Sequence, residues 1–303
     1  MSTRTIAITG ASGLIGSALT RHFQLQGDRV LQFTRTGQSS NTTIAWNPAT
    51  GSIDSAQLSG VDAVIHMAGA GIGDKRWTDE YKKEILDSRV KGTQLLAQAM
   101  SETQDGPKVL LSGSAIGIYG ESLTTEFNEQ SAVGSGFLAD VCAQWESATE
   151  SASRAGIRVA HLRTGIVLSP QGGALAKLLP LFKLGAGGKM GSGKQWQSWI
   201  SIDDEVAAID YLLTANVTGA VNLTAPKPVT QGEFSKILAK VLHRPSFLPV
   251  PSFGPKLLLG GELADALLFT GQKVMPEVLQ KSGYTFLHSD LETALRSLLN
   301  KPS

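Results

Sequence analysis

The chain has 303 residues, of which 42% are hydrophobic and 17% charged, and its formal net charge is +1. Such a composition supplies a core and excludes a disordered chain, and the scattered charges leave nucleic acid and membrane surfaces out as expected partners. The single cysteine, Cys142, excludes internal disulfides and thiolate clusters. His22, His66, His161, His243 and His288 form no ligand-like pair, so no metal site is expected.

Met1-Ser2-Thr3-Arg4 runs directly into a strand pattern with no basic and apolar leader, so no signal peptide is expected. No stretch approaches the ~20 apolar residues of a membrane helix, and the expected location is the cytoplasm. Strands are expected at Thr5–Thr9, Arg29–Thr34, Ala63–Met67, Lys108–Ser112 and Arg158–Arg163. Helical periodicity lies between them at Leu14–Gln26, Thr78–Met100 and Ala139–Arg154. Thr78 before Asp79-Glu80 is a natural N-cap, and Gly27 and Gly156 stop the first and third helices. The alternation predicts an α/β fold, a Rossmann-type doubly wound parallel sheet with helices on both faces.

Beyond Arg163 the rhythm changes. A helical run, Ala174–Leu184, sits within the Gly- and Lys-rich stretch Gly172–Gly193, and a helix-like Asp203–Ala215 and strand-like Ala220–Leu223 could rejoin the sheet. Helical patterns then recur at Gln231–Leu242, Gly260–Phe269 and Ser289–Leu299, separated by Pro245, Pro249, Pro251, Pro255 and Pro276. The expected division is a nucleotide-binding domain of residues 1–165, rejoined by 203–225, and a smaller C-terminal substrate lobe of 166–202 and 226–303.

Thr9-Gly10-Ala11-Ser12-Gly13-Leu14-Ile15-Gly16 joins the first strand to the first helix. Gly10 allows a sharp exit from the strand, Gly13 clears the approach of backbone to a pyrophosphate, and Gly16 lets helix and sheet pack closely. The amides from Ser12 to Ile15 then face the negative charge, as in a dinucleotide site. The second strand ends Leu31-Gln32-Phe33-Thr34-Arg35-Thr36. With no carboxylate there for a free ribose 2′-hydroxyl, Arg35 and Thr34 point to a 2′-phosphate and so to NADP(H). The small residues Ala68, Gly69 and Ala70 after the third strand would let the dinucleotide cross the sheet edge. Asp62, ahead of that strand, is either an adenine ligand or a turn residue.

Thr-Gly-x-x-Gly-x-x-Gly resembles the extended short-chain dehydrogenases/reductases, nucleotide-sugar epimerases among them. In those proteins a Tyr-x-x-x-Lys pair on a long helix moves the proton while a Ser or Thr polarises the substrate. Ser112-Gly113-Ser114 followed by Tyr119-Gly120 resembles the hydroxyl-bearing segment, which assigns Ser114 and Tyr119 to catalysis and Ser112 and Gly113 to the cofactor's edge. The helix Gly136–Glu146 holds Leu138 and Cys142, or Phe137 and Val141, where the pair is expected. Arg89, in Ser88-Arg89-Val90-Lys91-Gly92-Thr93, stands at the superfamily's asparagine, and is either a helper for the nicotinamide or phosphates or a surface charge.

Further motifs narrow the resemblance. They are Gly73-Asp74-Lys75-Arg76-Trp77-Thr78, Trp145-Glu146, Leu162–Leu168, Gly191–Ile200, Gly271–Pro276 and Gly283-Tyr284. Together they are similar to the epimerase family proteins, an atypical short-chain dehydrogenase/reductase group with its own C-terminal domain. The resemblance implies an extended Rossmann fold, NADP(H) and a C-terminal substrate lobe, and names no reaction. Lys75-Arg76-Trp77 could bind an anionic substrate or form a charged surface over a capping tryptophan; Lys194, Trp196 and Trp199 either face the cleft or pack. Two functions stay open: an oxidoreductase or epimerase acting on a small polar substrate, anionic or uncharged, and a non-catalytic NADP(H)-binding regulator with a protein partner. Oligomeric state is open.

Overall fold

The computed structural model describes residues 3–246 and 253–301. The first half contains β1 (Thr5–Thr9), α1 (Leu14–Leu25), β2 (Arg29–Thr34), β3 (Thr43–Asn47), β4 (Ser52–Ile53), β5 (Ala63–His66) and α2 (Asp79–Glu102). It continues through β6 (Val109–Ala115), β7 (Glu126–Phe127), α3 (Phe137–Ser147), α4 (Glu150–Arg154) and β8 (Arg158–Thr164). Next come β9 (Ile166–Leu168), α5 (Gly173–Lys183), β10 (Trp196–Gln197), β11 (Trp199–Ser201), α6 (Ile202–Thr214) and β12 (Gly219–Leu223).

Eight of these strands form one sheet in the order β12-β8-β6-β5-β1-β2-β3-β4, parallel except for the β3–β4 hairpin. From β1 the chain winds outward through β2 and β3; from β5 it winds the other way. The switch point lies between β1 and β5, where a doubly wound sheet opens a crevice at its carboxyl edge.

Both faces are covered, which is why the central strands read as continuous apolar runs. Ile6, Ile8, Ile65, Leu111 and Leu162 pack against α1 and α6, while Ala7, Val64, Leu110 and Val159 meet Leu96 and Met100 of α2. Strand β3 and its hairpin partner escaped the sequence reading. The alternation there is short and set among polar residues, although Ile44 and Trp46 are both buried. The single helix expected over Ala139–Arg154 is two, broken at Ala148-Thr149, where the Thr149 hydroxyl donates to the Glu146 carbonyl. Strand β6 runs on past Ser112 to Ala115.

The tail forms β13 (Val229–Thr230), α7 (Gln231–Leu242), α8 (Phe253–Leu259), α9 (Gly261–Ala264), a π turn over Asp265–Phe269, β14 (Lys273–Val274), α10 (Glu277–Ser282) and α11 (Leu291–Leu298). The pattern expected over Gly260–Phe269 is thus a short α-helix followed by a π turn, and Pro249 and Pro251 lie outside the described residues. Helix α7 starts with a reciprocal capping box between Thr230 and Glu233. Phe234, Leu238 and Leu295 of this part share a core with Leu175 and Phe182 of α5 and Trp199 of β11.

Asp204 ties that core to α6. Its buried carboxylate accepts from the Ser201 hydroxyl, the Tyr284 hydroxyl and the amides of Leu287 and His288. Among the described residues no helix is long and apolar enough to cross a membrane.

Candidate functional site

The glycine turn sits at the carboxyl end of β1, beside the switch point. Gly10 has φ +66°, a conformation that favours glycine, and its amide neighbour across the turn is held by the Gly13 N–H to Gly10 carbonyl bond of 2.9 Å. A Cβ on Gly10 would lie 2.9 Å from the Met67 carbonyl. Gly13 is the N-cap of α1 and offers no side-chain cap, so the first-turn amides, including those of Leu14, Ile15 and the buried Gly16, have no partner within the helix. Ser12 is exposed beside them. The turn, with Met67, Ile166, Val167, Gly173 and Ala174, encloses a cleft of about 380 Å³. Unpaired amides at a bare, side-chain-free helix start fit a diphosphate.

A buried hydrogen-bond chain shapes the floor. Thr9, His66 and Ser112 occupy one register row across β1, β5 and β6. The Thr9 hydroxyl accepts from the amides of Met67 and Ala68, at 2.9 and 3.1 Å, and meets His66 Nδ1 at 2.7 Å. His66 Nε2 meets the Thr93 hydroxyl at 2.9 Å, and Thr93 donates to the Arg89 carbonyl. Burial, with the charge of Arg89, pushes His66 down to about 4, so the ring is neutral. The loop Ala68-Gly69-Ala70 is fastened from both sides: the Ala70 amide donates to Ser88 Oγ, and the Ala70 carbonyl accepts from Arg89.

At the end of β2 the Thr34 hydroxyl turns back to the Thr36 carbonyl, 2.7 Å away. Arg35 is exposed, and none of its hydrogen bonds or ion pairs is formed among the described residues.

A second polar row crosses β6, β8 and β12, where Ser114, Arg163 and Asn222 are register partners. Arg163 grips Glu146 of α3 at both oxygens, 2.8 and 2.9 Å, and Ser114 donates to the same carboxylate at 2.7 Å. Burial raises the Glu146 carboxyl, but the hydrogen bonds and charge of Arg163 hold it below its ordinary value. Arg163 also donates to the Tyr119 hydroxyl, which donates in turn to Asn222 Oδ1 at 2.7 Å. Tyr119 is thereby buried and fully engaged, and burial raises its pKa. Glu129 accepts from the amides of Asn222 and Val278, joining this network to α10.

Helix α3 holds neither tyrosine nor lysine. A Cβ on Gly117 would lie 3.3 Å from Leu138 Cβ, and Cys142 packs with Ile116, Ile118 and Tyr119; burial and the nearby Glu146 push its thiol up to about 11. Trp145 takes the space beside Gly113, where a Cβ would lie 2.8 Å from its ring. Ser112 Oγ is buried with no partner in the structure as described.

Asp62 is not near the cleft. It lies at the amino edge of the sheet and accepts from the Thr5 amide at 2.7 Å, because a residue ahead of a parallel strand is at the opposite end from the crevice. Arg76 is not free for an anion: it donates to the carbonyls of Leu257 and Leu258, at 2.5 and 3.2 Å, capping α8. Lys75 pairs with Glu84, and Trp77 bonds the Ile72 carbonyl and packs on Phe137. Trp199 is a core residue, Trp196 donates to the Leu123 carbonyl, and Lys194 is exposed. No local motif foretells that Glu146, Arg163, Asn222 and Glu129 meet in one network. The available signal was polar residues at strand positions whose neighbours are apolar, Ser112, Ser114, His161, Arg163 and Asn222.

A doubly wound parallel sheet with a glycine turn at its switch point defines a Rossmann-type protein. The family model for the NAD dependent epimerase/dehydratase family matches residues 6–224, and a domain of unknown function, DUF1731, matches 250–298. An epimerase family protein of Mycobacterium bovis is 39% identical over all 303 residues of this chain and all of its own length. An Arabidopsis thaliana relative, named epimerase family protein SDR39U1 homolog, chloroplastic, is 38% identical over 98% of this chain and 87% of its own. The crystal structure of human epimerase family protein SDR39U1 with NADPH superposes with a TM-score of 0.88 at 33% identity, covering 98% of this chain and 99% of that one. The chain belongs to the epimerase family proteins, short-chain dehydrogenase/reductase relatives that carry a DUF1731 domain at their C-terminal end.

Proposed function

We propose that this protein binds NADP(H) and works in the cytoplasm as an epimerase-like oxidoreductase on a small polar substrate taken up between the sheet and the C-terminal lobe. The observation that carries this is the pairing, on one sheet edge, of the bare amides at Gly10–Gly16 with the exposed Arg35. The amides suit a diphosphate and the guanidinium a 2′-phosphate, with no carboxylate between Leu31 and Thr36 to repel it. The NADPH in the human relative's structure supports the same reading.

In this reading Ala68, Gly69 and Ala70 carry the middle of the dinucleotide, and Arg89, Ser112 and Gly113 lie toward its nicotinamide end. When bound, the dinucleotide supplies hydride chemistry. Ser114 is the hydroxyl offered to substrate, and Tyr119, through Arg163, positions the Ser114–Glu146 pair. A fluorescence titration tests the cofactor. NADPH binds at least about tenfold more tightly than NADH, roughly 1.4 kcal/mol, and Arg35→Ala removes most of the difference. Equal affinities in the unaltered protein would refute it.

A second reading, a non-catalytic NADP(H)-binding regulator, is favoured by the missing tyrosine and lysine of α3. A screen of NADPH oxidation against carbonyl compounds and nucleotide sugars separates the two. Turnover that Ser114→Ala abolishes supports the enzyme; bound cofactor without turnover across the screen supports the regulator.

A further inference from the structure

Arg89 carries a charge that its surroundings do not cancel. The residue is 7% exposed, and its guanidinium donates to the carbonyls of Ala70 and Ile85 at 2.9 and 3.0 Å. It lies over the Trp145 ring, 5.0 Å from the ring centre, and its Nε is buried with no partner. Among the described residues it forms no ion pair. Of the ionisable groups that act on it, Cys142 and Tyr81 are both raised by burial and so neutral. Glu146 and Arg163 neutralise one another, while His66, near 4, and Cys142, near 11, are uncharged at neutral pH. A net positive charge remains in a poorly solvated place, where its field is strong.

Its location decides what that field acts on. A Cβ on Gly69 would lie 3.1 Å from Arg89 Cζ, so the guanidinium sits directly beneath the loop that follows β5. In the order β6-β5-β1-β2, that loop and Arg35 lie on opposite sides of the glycine turn. A dinucleotide with its adenosine ribose at the end of β2 extends its nicotinamide half toward β5 and β6. The oxidised ring bears a positive charge and the reduced ring none, while the phosphates, riboses and adenine are common to both. Attraction of Arg89 for the phosphates cancels in the comparison, and repulsion of the oxidised ring is left over.

We propose that Arg89 makes the cofactor site selective for oxidation state, so that the protein holds NADPH in preference to NADP⁺. This rests on the NADP(H) reading above and narrows it. The matching substrate is a carbonyl compound, which gains a hydride at carbon from NADPH and a proton at oxygen from solvent, and the NADP⁺ so formed is the form of the cofactor that the site releases.

The full chain is titrated separately with NADPH and NADP⁺ at one ionic strength, by calorimetry. The expected result is NADPH binding at least about tenfold tighter, 1.4 kcal/mol, with the preference lost in Arg89→Met and kept in Arg89→Lys. A melting curve shows whether the Met variant is folded. If it is not, the midpoint potential of the couple on the unaltered protein serves instead, rising by about 30 mV for each tenfold of preference. Equal affinities, an unshifted potential, or a preference that survives in folded Arg89→Met overturns the proposal and leaves the dinucleotide reading standing. If neither nucleotide binds, both fall.

Discussion

Gly16 faces the carbonyl of Gly10 so closely that a Cβ built on Gly16 would overlap that oxygen and lie 2.8 Å from Ala11 Cα. Both obstacles are backbone, so neither can swing aside as a side chain could. Gly16→Ala must push α1 away from the turn. The expected cost is about 2–3 kcal/mol of stability, together with a large loss of dinucleotide affinity because the first-turn amides move with the helix. A denaturant melt and a titration on the same variant check both. Unchanged affinity would mean that the turn is not where the diphosphate binds.

The Arg163–Glu146 pair is nearly enclosed, with side chains 9% and 13% exposed. Removing one partner strands the other charge. Arg163→Met is expected to cost about 3–5 kcal/mol, and Glu146→Leu a similar amount, while the double variant costs clearly less than their sum. A double-mutant cycle from urea melts measures this. Strict additivity would show the two groups to be independent.

Glu205 is fully buried, with one oxygen accepting from Thr164 at 3.0 Å and the other without a partner in the structure as described. Burial raises its carboxyl to about 8, against the Thr164 hydrogen bond, so the folded protein holds a proton there that the unfolded chain releases near its ordinary value of 4.5. That contribution to stability is complete below about pH 4.5 and is lost as pH rises through 8. Glu205→Gln should flatten the curve, gaining on the unaltered protein by something of order 3 kcal/mol between pH 5 and 9. Parallel stability curves across that window would rule out a buried neutral acid.

His66 works in the opposite direction. Its pKa is lowered from 6.5 to about 4, by burial and the charge of Arg89, so stability is fully present above pH 6.5 and falls as the pH drops through 4. Roughly 3 kcal/mol is at stake over that range. Thr93 donates to a carbonyl and must therefore accept from the ring, which puts the proton of neutral His66 on Nε2. Nitrogen NMR of the labelled imidazole at pH 5.5 should show that neutral tautomer; an imidazolium signal would contradict it.

The local parts of this protein were legible in its residues. A glycine that must turn with positive φ, a helix start without a cap, and a strand apolar on both faces are all settled within a few residues. The β1–turn–α1 unit and most central strands therefore lie where their patterns place them. The position of Arg35 followed for the same reason: it is the residue after β2. Short β3 was not legible, since its two large apolar residues, Ile44 and Trp46, are too little signal against a polar setting.

What folding alone decided is which distant groups meet. Glu146 and Arg163 come from a helix and a strand whose own patterns give no hint of each other, and they pair because β8 lies beside β6 under α3. Arg76 reads as an open cation in its local motif, yet it is taken up by carbonyls 181 and 182 residues further along. Backbone conformation and periodicity are properties of neighbours in the chain, so the glycine turn, the long helices and the central strands follow from local residues. Charge compensation depends on neighbours in space, and it is the fold that pairs Arg163 with Glu146 and gives Arg89 no ion pair among the described residues.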